Sequence, residues 1–153
     1  MNDIEKKLEA LKAEFLGKLE EPKPWKPERG EEYFAVEDVA DVVPYTYCED
    51  SIDEYNIQLG NCFRTKERAE QVAEKMRLLL RLEQLHDMLC PDYVPDYEDD
   101  DEVKHHVYFN HFLDRYDISY STRRENPCMV AFDTKKNALK AAEILNKELE
   151  ESE

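Results

Sequence analysis

The sequence predicts an α+β fold: an N-terminal helix followed by two tandem βββα units, their helices packed on antiparallel sheet. Three observations predict it. A segment recurs at an offset of 69 residues, apolar residues alternate ahead of each copy, and a heptad-like seam lies near the start of the chain.

The repeat carries most weight. Phe63-Arg64-Thr65-Lys66-Glu67-Arg68-Ala69, continuing through Val72, Ala73, Glu74 and Met76, matches Phe132-Asp133-Thr134-Lys135-Lys136-Asn137-Ala138, continuing through Ala141, Ala142, Glu143 and Leu145. Both copies follow F-x-T-K-x-x-A-x-x-[VA]-A-E-x-[ML] without a gap. The pattern reads as a strand ending at Phe, a Thr N-cap, and a helix whose small residues let its axis lie close to a sheet. A Thr hydroxyl that accepts from an early helix N–H stabilises the start by roughly 1 kcal/mol.

Taken in order, residues 2–20 read as a helix. Ile4, Leu8, Leu11 and Phe15 step by 4, 3 and 4, Leu19 extends the face, and Pro22 and Pro24 end it. Before the first repeat copy come β-prone stretches at Tyr33 to Val36, Val42 to Tyr47 and Tyr55 to Phe63. Before the second come Val107 to Phe109, Tyr116 to Tyr120 and Cys128 to Phe132. Tyr45 and Tyr47, then Ile118 and Tyr120, fall on alternate positions as in a strand. Pro44 points to an edge strand or a bulge. Gly60-Asn61 and Glu125-Asn126-Pro127 are turn chemistry.

The predicted divisions are an amphipathic helix at 1–24, a first βββα unit at 25–90, an acidic linker at 91–102 and a second βββα unit at 103–153. The expected core holds Phe34, Val36, Tyr47, Ile57, Phe63, Ala69, Val72, Ala73 and Met76. Its second-unit counterparts are Val107, Phe109, Ile118, Val130, Phe132, Ala138, Ala141, Ala142 and Leu145. The first unit's helix carries a second stripe, Leu78, Leu82, Leu85 and Leu89, again stepping by 4, 3 and 4. This stripe and the leading seam invite pairing, within one chain or between two; equally, the stripe packs on the other unit. Leu8, Leu11, Leu82 and Leu85 are the candidate oligomer seam, with a homodimer as one outcome.

Composition narrows function by exclusion. The 153 residues contain 37 acidic and 21 basic side chains, a net charge of −16, with 38% charged and 41% hydrophobic residues. Three glycines disfavour phosphate-cradling loops. The longest apolar run in the helical part, Leu78 to Leu80, is far below the roughly 20 residues of a membrane span. Met1 leads into alternating acids and lysines rather than a secretory h-region. Four cysteines, Cys48, Cys62, Cys90 and Cys128, are scattered as reduced cytosolic thiols are.

Catalytic chemistry is not visible. There is no G-x-S-x-G, no cysteine in a reactive motif, and no partner marked to orient any of the four histidines. His86 and Cys90, four apart, both reach one metal from a helix end, and His105, His106 and His111 are further donors. Structural zinc sites show closely paired ligands such as C-x-x-C, which are absent. Asp96 to Glu102 lacks the glycine and alternation of a calcium loop. The expectation is therefore no metal, no cofactor and no enzyme.

Direct nucleic-acid binding is opposed by the charge surplus, since such affinity comes from Lys and Arg displacing counterions. Arg64, Lys66, Arg68, Lys75, Arg77 and Arg81 form a local exception on the first helix, as do Lys135, Lys136 and Lys140 near Arg123 and Arg124. The bland reading is a charge-balanced surface, the sharper one an anion site. Read the other way, carboxylates on a rigid frame fit a basic nucleic-acid channel of another protein.

At Trp25-Lys26-Pro27-Glu28-Arg29-Gly30-Glu31-Glu32-Tyr33 the sequence resembles an opening, W-x-P-x-x-G-E-x-Y, of small, mostly uncharacterised phage and prophage accessory proteins of Gram-positive bacteria. The later Gly60-Asn61-Cys62-Phe63-Arg64-Thr65-Lys66-Glu67-Arg68-Ala69 is similar to their G-N-x-F-x-T-x-E-x-A segment. The resemblance covers residues 2–89, with the second unit as a degenerate repeat, and the acid-rich linker departs from it. It implies a phage-encoded protein working in the cytoplasm of a bacterial host, and it brings no catalytic residues. Trp25 and Pro27 read as a lid over the sheet, and Gly30 as a positive-φ turn.

Together these readings predict a non-enzymatic inhibitor of a host defence protein, a CRISPR nuclease complex or another nucleic-acid-handling enzyme. The expected contacts are Asp96, Glu98, Asp99, Asp100, Asp101 and Glu102 on a basic surface. The alternative is a coiled-coil adaptor or phage assembly protein acting by oligomerisation; a third class is a hydrolase or metalloprotein using His86 and Cys90.

Overall fold

The structure, a computed structural model, describes residues 2–19 and 22–153. Glu20, the last residue of the expected leading helix, lies outside the described residues. In order come α1 (Asp3–Lys18), β1 (Glu32–Glu37), a 3-10 turn (Asp38–Ala40), β2 (Asp41–Thr46), α2 (Ser51–Leu59) and α3 (Lys66–Leu89). Then follow β3 (Lys104–Asn110), β4 (Arg115–Ser121), β5 (Ala131–Phe132) and α4 (Lys135–Glu151). The fold is α+β with a leading helix, as the patterning predicts.

The repeated segment builds the same corner twice. Thr65 accepts from the Arg68 N–H at 3.2 Å, and Thr134 from the Asn137 N–H at 3.1 Å, so both helices start on the expected hydroxyl. Ahead of each cap the repeated Phe closes onto the unit's first strand. Phe63 exchanges two backbone hydrogen bonds of 2.9 Å with Phe34, and Phe132 in β5 lies opposite His105. Both alanines of each copy are buried: Ala69 and Ala73 against Val36 and Ala40, Ala138 and Ala142 against Val107 and Phe132. With no side chain beyond Cβ, each helix approaches its sheet closely.

The second unit is βββα, with strand order β4-β3-β5 and antiparallel pairing throughout. The first unit differs. Tyr55 to Phe63, expected as a strand, is mostly the helix α2, and the third strand shrinks to the single residue Phe63. Asp50 caps α2 by accepting from the Ile52 and Asp53 N–H groups, both at 2.9 Å. The Asp53 carboxylate returns to the Asp50 N–H, completing a capping box. Gly60, at φ +74°, ends the helix in the left-handed region. What reads as a β-prone stretch is a helix turned largely inside out: Asp53 and Asn56 face inward beside the partly buried Ile57, while Ile52, Tyr55 and Leu59 are exposed.

That inversion explains the continuous apolar run in β1. Phe34 and Val36 pack beneath α3, whereas Tyr33 and Ala35 face α2, with Tyr47, Ile57 and Trp25 around them. Pro44 sits in β2, an edge strand paired only with β1, where its missing N–H leaves no ladder bond unmade. Trp25 is half-buried with the Arg64 guanidinium 5.1 Å from its ring centre, Pro27 is buried, and Gly30 takes φ +87°.

One helix serves both units. The first half of α3 lies on β1 and β2, while Leu82 and Leu85 are buried in the second core with Cys90, Val130, Phe132 and α4. Arg81 on α3 pairs with Glu148 on α4, and Asn137 donates to the Leu89 carbonyl at 3.2 Å. Of the expected core, Met76 is the exception, being exposed beside Val72, Leu79 and Leu82.

His106 is buried beneath the Arg124–Val130 turn, with Nδ1 3.3 Å from the Val130 carbonyl and Nε2 3.1 Å from the Ser121 hydroxyl. With the proton on Nδ1, the ring donates to Val130, while the single Ser121 hydroxyl proton serves either Nε2 or the Arg124 carbonyl 3.0 Å away. Burial pushes its pKa below the ordinary histidine value, outweighing the Val130 bond, and His105 beside it is lowered for the same reason. The folded state thus disfavours the charged ring. The stabilisation is complete above the unfolded value of about 6.5 and is lost as pH falls below it. Melting temperature is expected to drop between neutral pH and about pH 5, and His106→Gln should flatten that drop when the two proteins are melted side by side.

Candidate functional site

The loop that carries the six acidic residues singled out above is anchored on a buried lysine. Lys104 opens β3 and is 0% exposed. A lone ammonium in that position would lose several kcal/mol of hydration, so partners must surround it. The preceding loop supplies them. Nζ donates to the backbone carbonyls of Asp99 at 3.0 Å and Glu102 at 2.8 Å, and it lies 3.1 Å from the Glu102 carboxylate. The Tyr97 ring completes the shell, its centre 5.3 Å away.

From this point the loop is ordered outward. Glu102 accepts from the Asp96 N–H at 2.7 Å, closing the segment on itself. Asp96 accepts from the Glu98 N–H and Asp99 from the Asp101 N–H, both at 2.9 Å, making two Asx turns. Asp100 pairs with Arg123, just beyond β4. The stretch expected as a solvated linker is therefore a folded loop. Contiguous carboxylates repel, but here a buried cation and backbone N–H groups offset the repulsion.

The six residues do not share one fate. Glu102 turns inward to Lys104, and Asp100 is engaged by Arg123. Asp96, Glu98, Asp99 and Asp101 keep exposed carboxylates on a fixed backbone. Sequence reasoning missed Lys104. The signal that could have found it was a lone cation directly after an acidic run, at the first position of a strand.

The candidate seam residues separate as well. Leu8 and Leu11 lie exposed on α1, which buries none of its side chains. Leu82 and Leu85 are internal to the second core, because α3 there faces α4 rather than solvent. They are not presented to a partner.

Among the described residues, the donor set that the fold gathers is Cys48, Asp50 and Asp53. Its lone pairs are already directed at protein donors. Asp53 accepts from the Tyr33 hydroxyl and the Cys48 N–H, each at 2.7 Å, and from the Asp50 N–H at 3.3 Å. Asp50 caps α2 and lies 3.3 Å from the Cys48 thiol. Burial alone would raise the Asp53 pKa, but these hydrogen bonds prevail and hold it below the ordinary carboxylate value. The Asp50 carboxylate pushes the Cys48 thiol up, and burial does the same to Cys62 and Cys90. The cluster is built as a helix cap, and none of these three thiols is poised as a thiolate.

His86 and Cys90 are likewise placed for packing. His86 Nε2 is 3.1 Å from the Tyr93 carbonyl, its ring lies beside Phe132, and Cys90 is buried. The basic cluster on α3 is partly neutralised: Lys66 pairs with Glu70, Arg81 with Glu148, and Arg77 donates to the Ala40 carbonyl at 2.7 Å. Lys135, Lys136 and Lys140 remain exposed.

At the far end of the β3–β4 hairpin, about 20 Å from the acidic loop by strand rise, Phe112 is 92% exposed. The Asn110 side chain accepts from the Phe112 and Leu113 N–H groups at 3.0 and 3.3 Å, so the ring is displayed on a fixed turn. Neither a protein-family model, nor a curated protein, nor a solved structure matches the chain. The functional reading rests on its own residues.

Proposed function

We propose that the protein is a non-enzymatic inhibitor that binds the basic nucleic-acid surface of a host defence enzyme, such as a CRISPR nuclease complex, through Asp96, Glu98, Asp99 and Asp101. The supporting observation is the loop around Lys104, which holds these carboxylates at set positions instead of leaving them on a mobile tether. A pre-ordered array loses little conformational entropy on binding. The surplus of sixteen negative charges steers it toward a positive partner and away from nucleic acid.

Affinity capture from a bacterial host lysate tests this. The expected catch is a nucleic-acid-binding protein that is released by added duplex DNA and by salt. Asp96→Asn, Glu98→Gln, Asp99→Asn and Asp101→Asn combined should weaken that binding by about tenfold or more, at roughly 1 kcal/mol or less for each exposed charge. Retention that ignores all four substitutions, or a partner not displaced by DNA, would reject the proposal.

A further inference from the structure

The described part of α1 is an amphipathic helix without a covering surface. Asn2 caps it in a capping box with Glu5, both bonds 2.8 Å, so its start is self-contained. Yet none of its side chains is buried, and Ile4, Leu8, Leu11 and Phe15 all stand more than half exposed. A 16-residue helix is marginal alone in water, and a seam of large apolar residues adds a reason to pair.

The charges beside the seam name the partner. With Leu8 and Phe15 as a positions and Ile4 and Leu11 as d positions, Glu5 and Lys12 fall at e and Lys7 and Glu14 at g. A parallel pair brings g of one helix to the following e of the other, which sets Lys7 against Lys12. An antiparallel pair brings e to e and g to g. Glu5 then meets Lys12 and Lys7 meets Glu14, each twice by symmetry. The seam agrees, since Ile4 lies across from Phe15 and Leu8 from Leu11. Net charge points the same way. The four acids of α1 (Asp3, Glu5, Glu9, Glu14) cancel its four lysines (Lys6, Lys7, Lys12, Lys18), so the whole surplus of −16 lies elsewhere. This helix is not drawn to the basic surface that the acidic loop fits; it complements itself.

We infer that α1 is a homodimerisation element that pairs antiparallel with α1 of a second copy. The inference is independent of the inhibitor reading and uses a different surface.

Sedimentation of the full chain from micromolar to millimolar concentration tests it. The wild type should pass from monomer to dimer. Leu8→Asp with Leu11→Asp should stay monomeric at every concentration, with an unchanged melting temperature for the rest of the molecule. Lys12→Glu should weaken the dimer about fivefold, because Glu5 of one copy then faces a second carboxylate on the other; in a parallel pair it would strengthen it. Glu14→Lys should also weaken the dimer, and Lys7→Glu added to Glu14→Lys should restore it. A wild type that is monomeric throughout overturns the inference, as when α1 folds onto its own chain. So does a dimer indifferent to the leucine changes, or one that Lys12→Glu tightens.

Discussion

Lys104→Met is expected to destabilise the protein by about 3 kcal/mol and to lower its melting temperature by about 10 °C. The substitution keeps the length of the stem but removes the ammonium that two carbonyls and one carboxylate surround. Breaking a buried ion pair from one side typically costs about 3–5 kcal/mol. The lower end applies here because the Glu102 side chain is 29% exposed and regains some water. Glu102→Gln should be the harsher change, about 3–5 kcal/mol, since Lys104 is fully buried and its charge stays behind. Changing both, Lys104→Met with Glu102→Leu, should cost less than either single change, because no orphaned charge remains. Thermal melts of the three variants check the order. Hydrogen exchange adds the local readout: the amides of Asp96, Glu98 and Asp101, each hydrogen-bonded to a carboxylate of the loop, should exchange faster in Lys104→Met than in the wild type. Partner binding should weaken in parallel, with every exposed carboxylate still present. That result would separate the arrangement of the charge from its amount.

Asp53→Ala is expected to cost about 3–4 kcal/mol, by orphaning the Tyr33 hydroxyl and the Cys48 and Asp50 N–H groups together. Tyr33 is 0% exposed, and burial already pushes its pKa up to about 12, so its hydroxyl finds no water in exchange. Asn56 donates to the same hydroxyl at 3.2 Å, and Asn61 brackets the Val36 backbone with bonds of 2.8 and 2.9 Å, so the loss spreads from α2 into β1. Because the folded Asp53 pKa lies below its unfolded value, its contribution is present above about pH 4 and is lost as pH falls through the folded value. Asp53→Asn should therefore melt lower at neutral pH and lose part of the wild type's further decline in acid. Denaturant titrations at neutral and acid pH measure both.

These two sites also mark where reading the sequence stops. The Thr caps, the alanine faces and the Phe that closes each unit are local: each is set by a few adjacent residues acting on their own backbone, and the repeat displayed them twice. The α2 helix was legible in principle, through Asp50 and Asp53 at capping-box spacing and Gly60 at the C-terminus. It was hidden because its buried face is polar and its outer face apolar. Apolar periodicity then reported solvent instead of core.

Other questions were not local at all. Two leucine stripes with the same spacing, Leu8–Leu11 and Leu82–Leu85, look alike along the chain, yet one is exposed and the other is core. Spacing sets which residues share a face, but only the other elements determine what that face meets. The acidic run shows the same division. Fold class, the duplicated corner and the concentration of negative charge are written in short stretches of chain and can be read there. That this charge is ordered depends on the packed fold: Lys104 lies only two to five residues from its partners, but it is buried where β3 packs, and Arg123 reaches Asp100 from beyond β4.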